Sequence, residues 1–179
     1  MKTTYFFLFL AALTLSSCSP RLSYFTQDLV KENNWSEEEL KQIQFYLSNS
    51  IVLRREANSG DSQIREGGIR IRNGRKVEEI VIPAGTPGVF LFRPKENRLA
   101  VSFEKSGDKR FLMFGPNPKI SGRYVLLAAE WKKRQGQVTY DGSTWWVDDE
   151  SAIAALMVDL KRSRQVSVKS RVAPGRTVN

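Results

Sequence analysis

The sequence predicts a mainly β protein, in which an N-terminal amphipathic helix precedes a single antiparallel β-sandwich or small β-barrel of about eight strands. Three observations predict this class. Short apolar runs recur along the chain, and turn-forming residues separate them. The third observation is length, because the 162 residues after position 17 are enough for one domain with a core but too few for two.

The first predicted element is a helix that starts at Ser36. Ser36 and Glu39 have the spacing of a capping box, and Trp35 can pack on Leu40 as a hydrophobic staple. Apolar residues then continue at helical spacing through Leu40, Ile43, Phe45, Tyr46 and Leu47. The pattern predicts an amphipathic helix of about twelve residues. Its acidic start and the lack of a basic polar face favour packing on its own domain over the alternative, contact with a membrane. A helical turn or two is also predicted over residues 24–31.

The sequence pattern in the middle of the chain predicts strands. An extended run starts at Ile51 and ends at the turn residues 58–61. The dipeptides Asn73–Gly74 and Asp141–Gly142 each predict a hairpin with a two-residue turn. Residues 83–88, with two prolines and two glycines, predict another turn. The remaining extended runs are predicted at 68–72, 77–82, 89–92, 99–103, 110–114, 124–128, 137–140 and 143–147.

Residues 151–160 fit two structures. Their composition suits a helix that the preceding acidic residues would cap. The apolar residues 156–158 and the alternating valines further on suit strands instead. We expect a strand over 155–160, followed by a basic extended tail.

The first eighteen residues have the features of an export signal. Lys2 is positive, residues 5–15 form an eleven-residue apolar run, and small residues precede Cys18, the only cysteine. Eleven apolar residues are fewer than the roughly 20 that span a bilayer. Residues 15–18 (LSSC) resemble the lipobox of bacterial lipoproteins, which implies cleavage before Cys18, diacylation of its thiol and acylation of the new amino terminus. The alternatives are an ordinary secretory peptide or a short apolar helix with a structural cysteine.

These features divide the chain into a signal peptide (1–17), a lipidated tether (18–23), a helix plus β domain (24–160) and a basic tail (161–179). The tether reaches less than ~20 Å from the lipid head groups, so the domain is expected close to the membrane. Position 19 is serine, and the resemblance to lipoproteins implies that aspartate there would favour the inner membrane. We therefore expect a lipid-anchored protein of the outer membrane that faces the periplasm.

Composition excludes several kinds of chemistry. Histidine is absent, which excludes Ser-His-Asp and Cys-His nucleophile systems and His-ligated zinc. The sequence predicts no cofactor, no metal site and no catalytic residue. Two Ser-x-x-Lys spacings, Ser102–Lys105 and Ser106–Lys109, lie in a predicted strand and its turn instead of at a helix start, so we assign them no catalysis.

An aromatic and acidic cluster is the first candidate site, for contact with a glycan or a protein partner. Its members are Trp145, Trp146, Asp148, Asp149 and Glu150, with Trp131 as a further neighbour. Aromatic faces beside carboxylates suit sugar binding and glycoside cleavage. Adjacent residues on a strand point to opposite faces, so at most one of the paired tryptophans lines any single site.

The basic tail is the second candidate site, for contact with an anionic surface. The whole chain carries +9, and because Lys2 is the only charge before Cys18 the mature chain carries +8. Six of these charges lie in the tail, which has no acid: Lys161, Arg162, Arg164, Lys169, Arg171 and Arg176. Such cations are attracted to anionic head groups or to an acidic partner surface. The alternative is a solvated terminus, and the export signal argues against nucleic acid as a partner.

Residues 35–55, the turn at 86–88 and the hairpin at 138–142 are similar to uncharacterised lipoproteins of Bacteroides-like bacteria, over most of the mature chain. The resemblance implies a compartment and a length but no activity. We expect a non-enzymatic envelope lipoprotein that binds a protein partner or serves as an accessory subunit of an outer-membrane complex. The alternative is a cell-wall or glycan-binding protein, including a carboxylate-based hydrolase.

Overall fold

The computed structural model describes residues 21–56, 68–72, 75–105, 109–132 and 134–163. This part of the chain is mainly β, which confirms the predicted class. Its strands are β1 (Leu22–Tyr24), β2 (Gln44–Leu47), β3 (Ile51–Glu56), β4 (Gly68–Arg72), β5 (Arg75–Ile82), β6 (Pro87–Lys95), β7 (Arg98–Ser102), β8 (Leu112–Asn117), β9 (Arg123–Leu126), β10 (Glu130–Lys132), β11 (Gln135–Tyr140), β12 (Ser143–Asp148) and β13 (Leu156–Asp159). Its α-helices are α1 (Gln27–Asn33), α2 (Glu37–Leu40), α3 (Asp149–Ala152) and α4 (Leu160–Ser163), and a 3₁₀ helix spans Pro118–Ile120.

The described strands form two antiparallel sheets. Sheet A has the order β1-β13-β2-β6-β7-β8-β9, and sheet B has the order β10-β11-β12-β3-β5-β4. The small closed barrel, one of the two predicted architectures, is therefore wrong for this part of the chain. The predicted number of about eight strands is too low, because strands as short as β1 and β10 carry too little alternation to be recognised.

The outer edge of β9 in sheet A is covered by two other segments. Thr26 and Ala155 form isolated bridges with Arg123 and Val125. In addition, the Tyr124 amide donates to the Phe25 carbonyl at 3.0 Å. Covering an edge in this way blocks the pairing with other chains that exposed sheet edges invite.

Buried residues of both sheets belong to one hydrophobic cluster, which includes Phe45 of sheet A and Leu53 of sheet B. Phe25, between β1 and α1, is 0% exposed. Its ring centroid lies 5.8 Å from that of Trp35, 5.2 Å from that of Phe45 and 5.0 Å from that of Tyr124. This one side chain therefore joins the N-terminal segment to β2 and β9.

The predicted amphipathic helix after Ser36 is wrong beyond Leu40. Its capping box is confirmed, because the Glu39 amide donates to Ser36 Oγ at 3.3 Å and the Ser36 amide donates to Glu39 Oε2 at 2.9 Å. Helix α2 nevertheless ends after four residues, and β2 follows. Three alternate residues here are buried: Ile43, Phe45 and Leu47. Because β2 is hydrogen-bonded on both sides, by β13 and β6, the sheet pairing overrides a spacing that also fits a helix.

The hairpin predicted at Asp141–Gly142 is confirmed. Tyr140 lies opposite Ser143 in the β11–β12 ladder. Asp141 and Gly142 have φ of 49° and 70°, the left-handed conformation that a two-residue type I′ turn requires at both positions.

The other predicted hairpin joins β4 and β5, which pair antiparallel with Arg72 opposite Arg75. Its turn residues 73–74 and the predicted turn at 58–61 lie outside the described residues. The remaining extended runs predicted between residues 51 and 128 are confirmed as β3, β6, β7, β8 and β9, with shifts of a few residues at their ends.

Pro87 and Gly88, predicted as turn residues, lie in β6 instead. The turn before β6 is shorter and is closed by a hydrogen bond from Thr86 Oγ1 to the Pro83 carbonyl at 2.7 Å. A Cβ placed on Gly88 would lie 2.6 Å from Cε1 of Phe103. Glycine therefore serves here to let an aromatic ring pack directly on the strand.

The segment from 151 to 160 contains a short helix and a strand. Helix α3 ends at Ala152, and β13 confirms the strand that was expected over 155–160. In sheet A, Leu22 of β1 lies opposite Asp159 of β13. Among the described residues, sheet A therefore begins at Leu22, inside the range 18–23 that was predicted as a tether.

Candidate functional site

The adjacent tryptophans of β12 point to opposite faces of sheet B, as predicted. Trp145 is 2% exposed, belongs to the core cluster and donates from Nε1 to the Tyr140 carbonyl at 3.1 Å. Trp146 is half-buried on the other face. Of this pair, Trp146 lies beside the acidic residues, whereas Trp145 lines the pocket between the two sheets that is described below. The contact role of each stays a prediction.

Trp146 lies in a shallow depression of about 660 Å³, which we name the tryptophan trough. The trough is lined by Lys132, Arg134, Gln135, Trp146, Asp148, Asp149 and Glu150. The structure thus brings together four of the five residues of the predicted aromatic and acidic cluster. It adds two cations, Lys132 and Arg134, that were not predicted for this site.

Two carboxylates of the trough are held by different arginines. Arg54 donates from Nη1 to Asp148 and from Nε to Glu79 Oε2, the latter at 2.8 Å. Arg134 Nε donates to Asp149 Oδ2 at 2.7 Å, and this hydrogen bond raises the pKa of Arg134. Glycoside cleavage uses two carboxyl groups that flank one bond. Carboxylates already engaged by separate arginines suit a polar contact surface better than such a pair.

Trp131 is not a neighbour of the trough. On β10 it lies opposite Gly136, which in turn lies opposite the buried Val147, so its side chain is on the core-side face of sheet B. It is 42% exposed at the rim of a depression of about 260 Å³, which we name the apolar hollow. The other apolar residues of this hollow include Pro116, Pro118, Leu127, Ala128 and Ala152.

Gly136 provides the space that the Trp131 ring occupies. A Cβ at Gly136 would lie 2.8 Å from Cη2 of Trp131 and 2.9 Å from Cβ of Ala128. The composition of β10 did not reveal this site, because all three of its residues are exposed and show no alternation. The only local signal for this hollow in the sequence was an aromatic residue, Trp131, within a charged run.

A third pocket, of about 510 Å³, lies between the two sheets, and we name it the end pocket. From sheet B it contains Arg55, whose Nε donates to Glu78 Oε2 at 2.6 Å and whose Nη1 donates to Ser143 Oγ at 3.0 Å. The Arg55 guanidinium carbon lies 4.8 Å from the ring centroid of Trp145. These contacts hold Arg55 in one place over the core.

The opposite wall of the end pocket comes from the connection between β7 and β8. There Arg110 Nη1 donates to Glu104 Oε2 at 2.6 Å, and this hydrogen bond raises the pKa of Arg110. Arg110 Nε donates to Asp141 Oδ2 at 3.4 Å, and the Tyr140 hydroxyl donates to Glu104. Glu104 and its partners thus link the two sheets. The sequence did not predict this network, because its members come from separate segments.

The phenol of Tyr140 has a raised pKa, first because it is buried and second because it donates to the Glu104 carboxylate. Both effects favour the protonated form. In the end pocket Tyr140 therefore acts as a neutral hydrogen-bond donor. Together with the paired arginines, it gives the pocket an internally satisfied polar wall.

We expect Tyr140 to make the fold less stable at alkaline pH. A tyrosine with a raised pKa in the folded state contributes its stabilisation below about pH 10, the pKa of an unfolded tyrosine, and loses it as the pH rises through the folded value. We measure the free energy of unfolding by urea denaturation at a series of pH values from neutral to alkaline. This free energy should fall more steeply with pH for the wild type than for Tyr140→Phe. Tyr124, whose pKa burial also raises, is common to both proteins. Equal slopes would contradict the role given to Tyr140.

The Ser-x-x-Lys spacing at Ser102 forms no catalytic pair. Ser102 is 5% exposed, and its hydroxyl donates to the Arg110 carbonyl at 2.7 Å. Lys105 is exposed. The hydroxyl therefore stabilises the connection between β7 and β8, while Ser106 of the second spacing lies outside the described residues.

The two predicted membrane contacts lie mostly outside the described residues. Cys18, the predicted lipidation site, lies outside the described residues. So do four of the tail cations: Arg164, Lys169, Arg171 and Arg176. Of the tail cations, Lys161 is exposed and Arg162 lies in α4. None of the helices described here has the length and apolar content needed to cross a membrane. Over the same residues, no group of acidic or sulfur side chains is placed to hold a metal ion.

Comparison with known proteins gives no match, so the interpretation of the site rests on its structure. No protein-family profile matches the sequence, and no match was found among curated proteins or solved structures.

Proposed function

We propose that the protein is a non-enzymatic lipoprotein, anchored through Cys18 in the outer membrane and facing the periplasm, whose β domain binds an envelope protein partner. We also propose that its two sheets are packed as a β-sandwich, because buried residues from both belong to one cluster. The observation that carries the binding function is the apolar hollow with the exposed Trp131 at its rim. An accessory subunit of an outer-membrane complex would use such a surface.

The chemistry of the hollow supports binding to protein. Tryptophan is among the residues most enriched at the energetic centres of protein interfaces, where it fills apolar pockets of the partner. Trp131 is positioned for this by the space above Gly136. Trp131 belongs to β10, an edge strand of sheet B in the described part of the chain, and the other two residues of β10, Glu130 and Lys132, are exposed. A partner can therefore meet an apolar centre with a charged rim, which is the usual arrangement at interfaces.

The proposal that the protein has no catalytic role is supported by its carboxylates, which are already engaged by side chains of the protein. In the tryptophan trough, Asp148 and Asp149 are engaged by arginines. In the end pocket, Glu104 is engaged by Arg110 and Tyr140. A general acid or nucleophile needs an accessible atom aimed at a substrate, whereas these carboxylates serve as acceptors within the protein.

A second candidate, glycan binding, is favoured by the tryptophan trough. Trp146 is half-buried, so one part of its ring is accessible, and carboxylates and cations surround it. Aromatic rings beside polar planar groups are suited to sugars. Because Trp131 and Trp146 lie on opposite faces of sheet B, substitutions can separate the two functions.

We expect Trp131→Ala to abolish capture of a protein partner. Crosslinking in intact cells, followed by solubilisation of the envelope and recovery of the full-length protein, measures capture. Loss of a central interface tryptophan typically costs about 2 kcal/mol or more of binding free energy. Val89→Ala is the matched control, because Val89 is 46% exposed on sheet A, outside the hollow.

Two results would overturn the proposal. One is equal capture by the Trp131→Ala variant and the wild type. The other is the absence of any captured protein together with binding of purified cell-wall glycan that Trp146→Ala removes, which would establish the glycan-binding candidate instead.

A further inference from the structure

The end pocket has the size and the mixed lining of a small-molecule site. Its volume is about 510 Å³, and pockets for drug-sized ligands usually have about 300–1,000 Å³. The apolar part of its lining includes Ile80, Ile82, Phe103 and Trp145, and polar side chains form the rest. An apolar lining with a few fixed polar groups is typical of pockets that enclose a ligand.

The polar groups of the end pocket are held in place by one another. On the wall from sheet B, Arg55 donates to Glu78 and to Ser143. On the opposite wall, Arg110 donates to Glu104. Side chains that are fixed before a ligand arrives lose little conformational entropy when it binds. The pocket is therefore preorganised for a ligand that matches its charges.

Those charges do not favour an anion. The lining contains two arginines, and each is paired with a carboxylate of the same lining, Arg55 with Glu78 and Arg110 with Glu104. Arg110 has a second carboxylate, that of Asp141, at 3.4 Å. An anion would therefore have to compete with carboxylates of the protein for either guanidinium group.

Glu78 instead offers an acceptor to a cation. Arg55 Nε donates to its Oε2 at 2.6 Å, whereas no residue in the described part of the chain donates a hydrogen bond to its Oε1. The side chain of Glu78 is 15% exposed, so a donor bound there is largely shielded from water. Hydrogen bonds between charged groups are the strong ones, and a low local dielectric strengthens them further.

We propose that the end pocket binds a small organic cation, an amine joined to an apolar body. The ammonium group donates to Glu78 Oε1, and the apolar body packs on Ile80, Ile82 and Phe103. This function goes beyond the proposed capture of a protein partner, because the end pocket and the apolar hollow have no lining residue in common.

Three probes that share a phenylethyl group test the proposal: 2-phenylethylamine is a cation, 3-phenylpropionate is an anion and 3-phenylpropionamide is uncharged. Each is titrated into the purified protein, and NMR follows the indole N–H signals of the four tryptophans. Trp145 lines the end pocket, whereas Trp131 lines the apolar hollow and Trp146 the tryptophan trough. The signals therefore report the affinity and the place of binding together.

We expect the amine to shift the Trp145 signal and to bind at least about tenfold more tightly than the other two probes. Similar affinity of the amine and the propionate would overturn the proposal. So would the absence of amine binding, or a shift at Trp131 or Trp146 instead of Trp145.

Glu78→Gln should weaken amine binding at least about tenfold and change binding of the amide by less than about twofold. Glu38→Gln is the matched control, because it removes the same charge from an exposed position on α2, outside the pocket. Amine binding that Glu78→Gln leaves unchanged, or that Glu38→Gln weakens as much, contradicts the proposal. If Glu78→Gln does not fold, the three probes on the wild type decide the question.

The two proposals fail separately. Capture of a protein partner depends on Trp131 and is measured by crosslinking, whereas amine binding depends on Glu78 and is measured by NMR. Loss of capture in Trp131→Ala with normal amine binding would support both.

Discussion

Replacing Phe25 with alanine is expected to lower the free energy of unfolding by about 3–5 kcal/mol. The ring is 0% exposed and contacts Trp35, Phe45 and Tyr124, with centroid distances of 5.0 to 5.8 Å. These three partners belong to separate segments, so the cavity left by alanine cannot be closed by a shift of one element. Each partner would have to leave other contacts to fill it. Urea denaturation at neutral pH measures the loss.

Ile153→Ala is the control for this substitution. Ile153 is 58% exposed, so its truncation should change the free energy of unfolding by no more than about 0.5 kcal/mol. If Phe25→Ala and Ile153→Ala gave similar small changes, Phe25 would not have the central place in the core described above.

Two local signals in the sequence, a turn dipeptide and a capping box, are confirmed, whereas the turn predicted at 83–88 ends earlier than expected. The Asp141–Gly142 hairpin and the Ser36–Glu39 capping box both depend on a few adjacent residues whose backbone conformations are restricted. The opposite orientation of Trp145 and Trp146 was also predictable, since it follows from strand geometry alone. Each of these predictions needed only contacts within one segment.

The structure of residues 43–47 could not be derived in the same way. Their apolar residues satisfy the helical and the extended spacing, and the strand forms because β13 and β6 supply hydrogen bonds on both sides. Those partners lie more than 40 positions away in the sequence. Long-range pairing of this kind leaves no local trace, and the intrinsic preference of the segment does not oppose it.

The candidate sites were predictable to different extents. Four residues of the tryptophan trough are close in sequence, so their proximity was expected. The apolar hollow depends on Trp131 packing over Gly136, and that pairing requires the register of β10 and β11. The end pocket combines residues of both sheets, and nothing in the separate segments indicates that Arg55 and Glu104 share one pocket.

Glu104→Ala is expected to lower the free energy of unfolding by about 2–3 kcal/mol. Glu104 accepts hydrogen bonds from the Tyr140 hydroxyl and from Arg110 Nη1, the latter at 2.6 Å. Tyr140 is 1% exposed, so water cannot readily replace the lost acceptor, whereas Arg110 retains its contact with Asp141 at 3.4 Å. Glu104→Gln should cost less, because an amide oxygen still accepts from Tyr140. Urea denaturation of both variants measures the difference.

A double-mutant cycle between Glu104→Ala and Tyr140→Phe tests whether this hydrogen bond joins the sheets in solution. Tyr140 belongs to β11 of sheet B, and Glu104 belongs to the connection between two strands of sheet A. Residues in direct contact have coupling energies of about 0.5–3 kcal/mol. Arg134→Gln, in the tryptophan trough, should combine additively with Tyr140→Phe. If the Glu104 and Tyr140 substitutions also added without coupling, the end pocket would not be closed by this network, and the proposed packing of the two sheets would lose its polar support at that end.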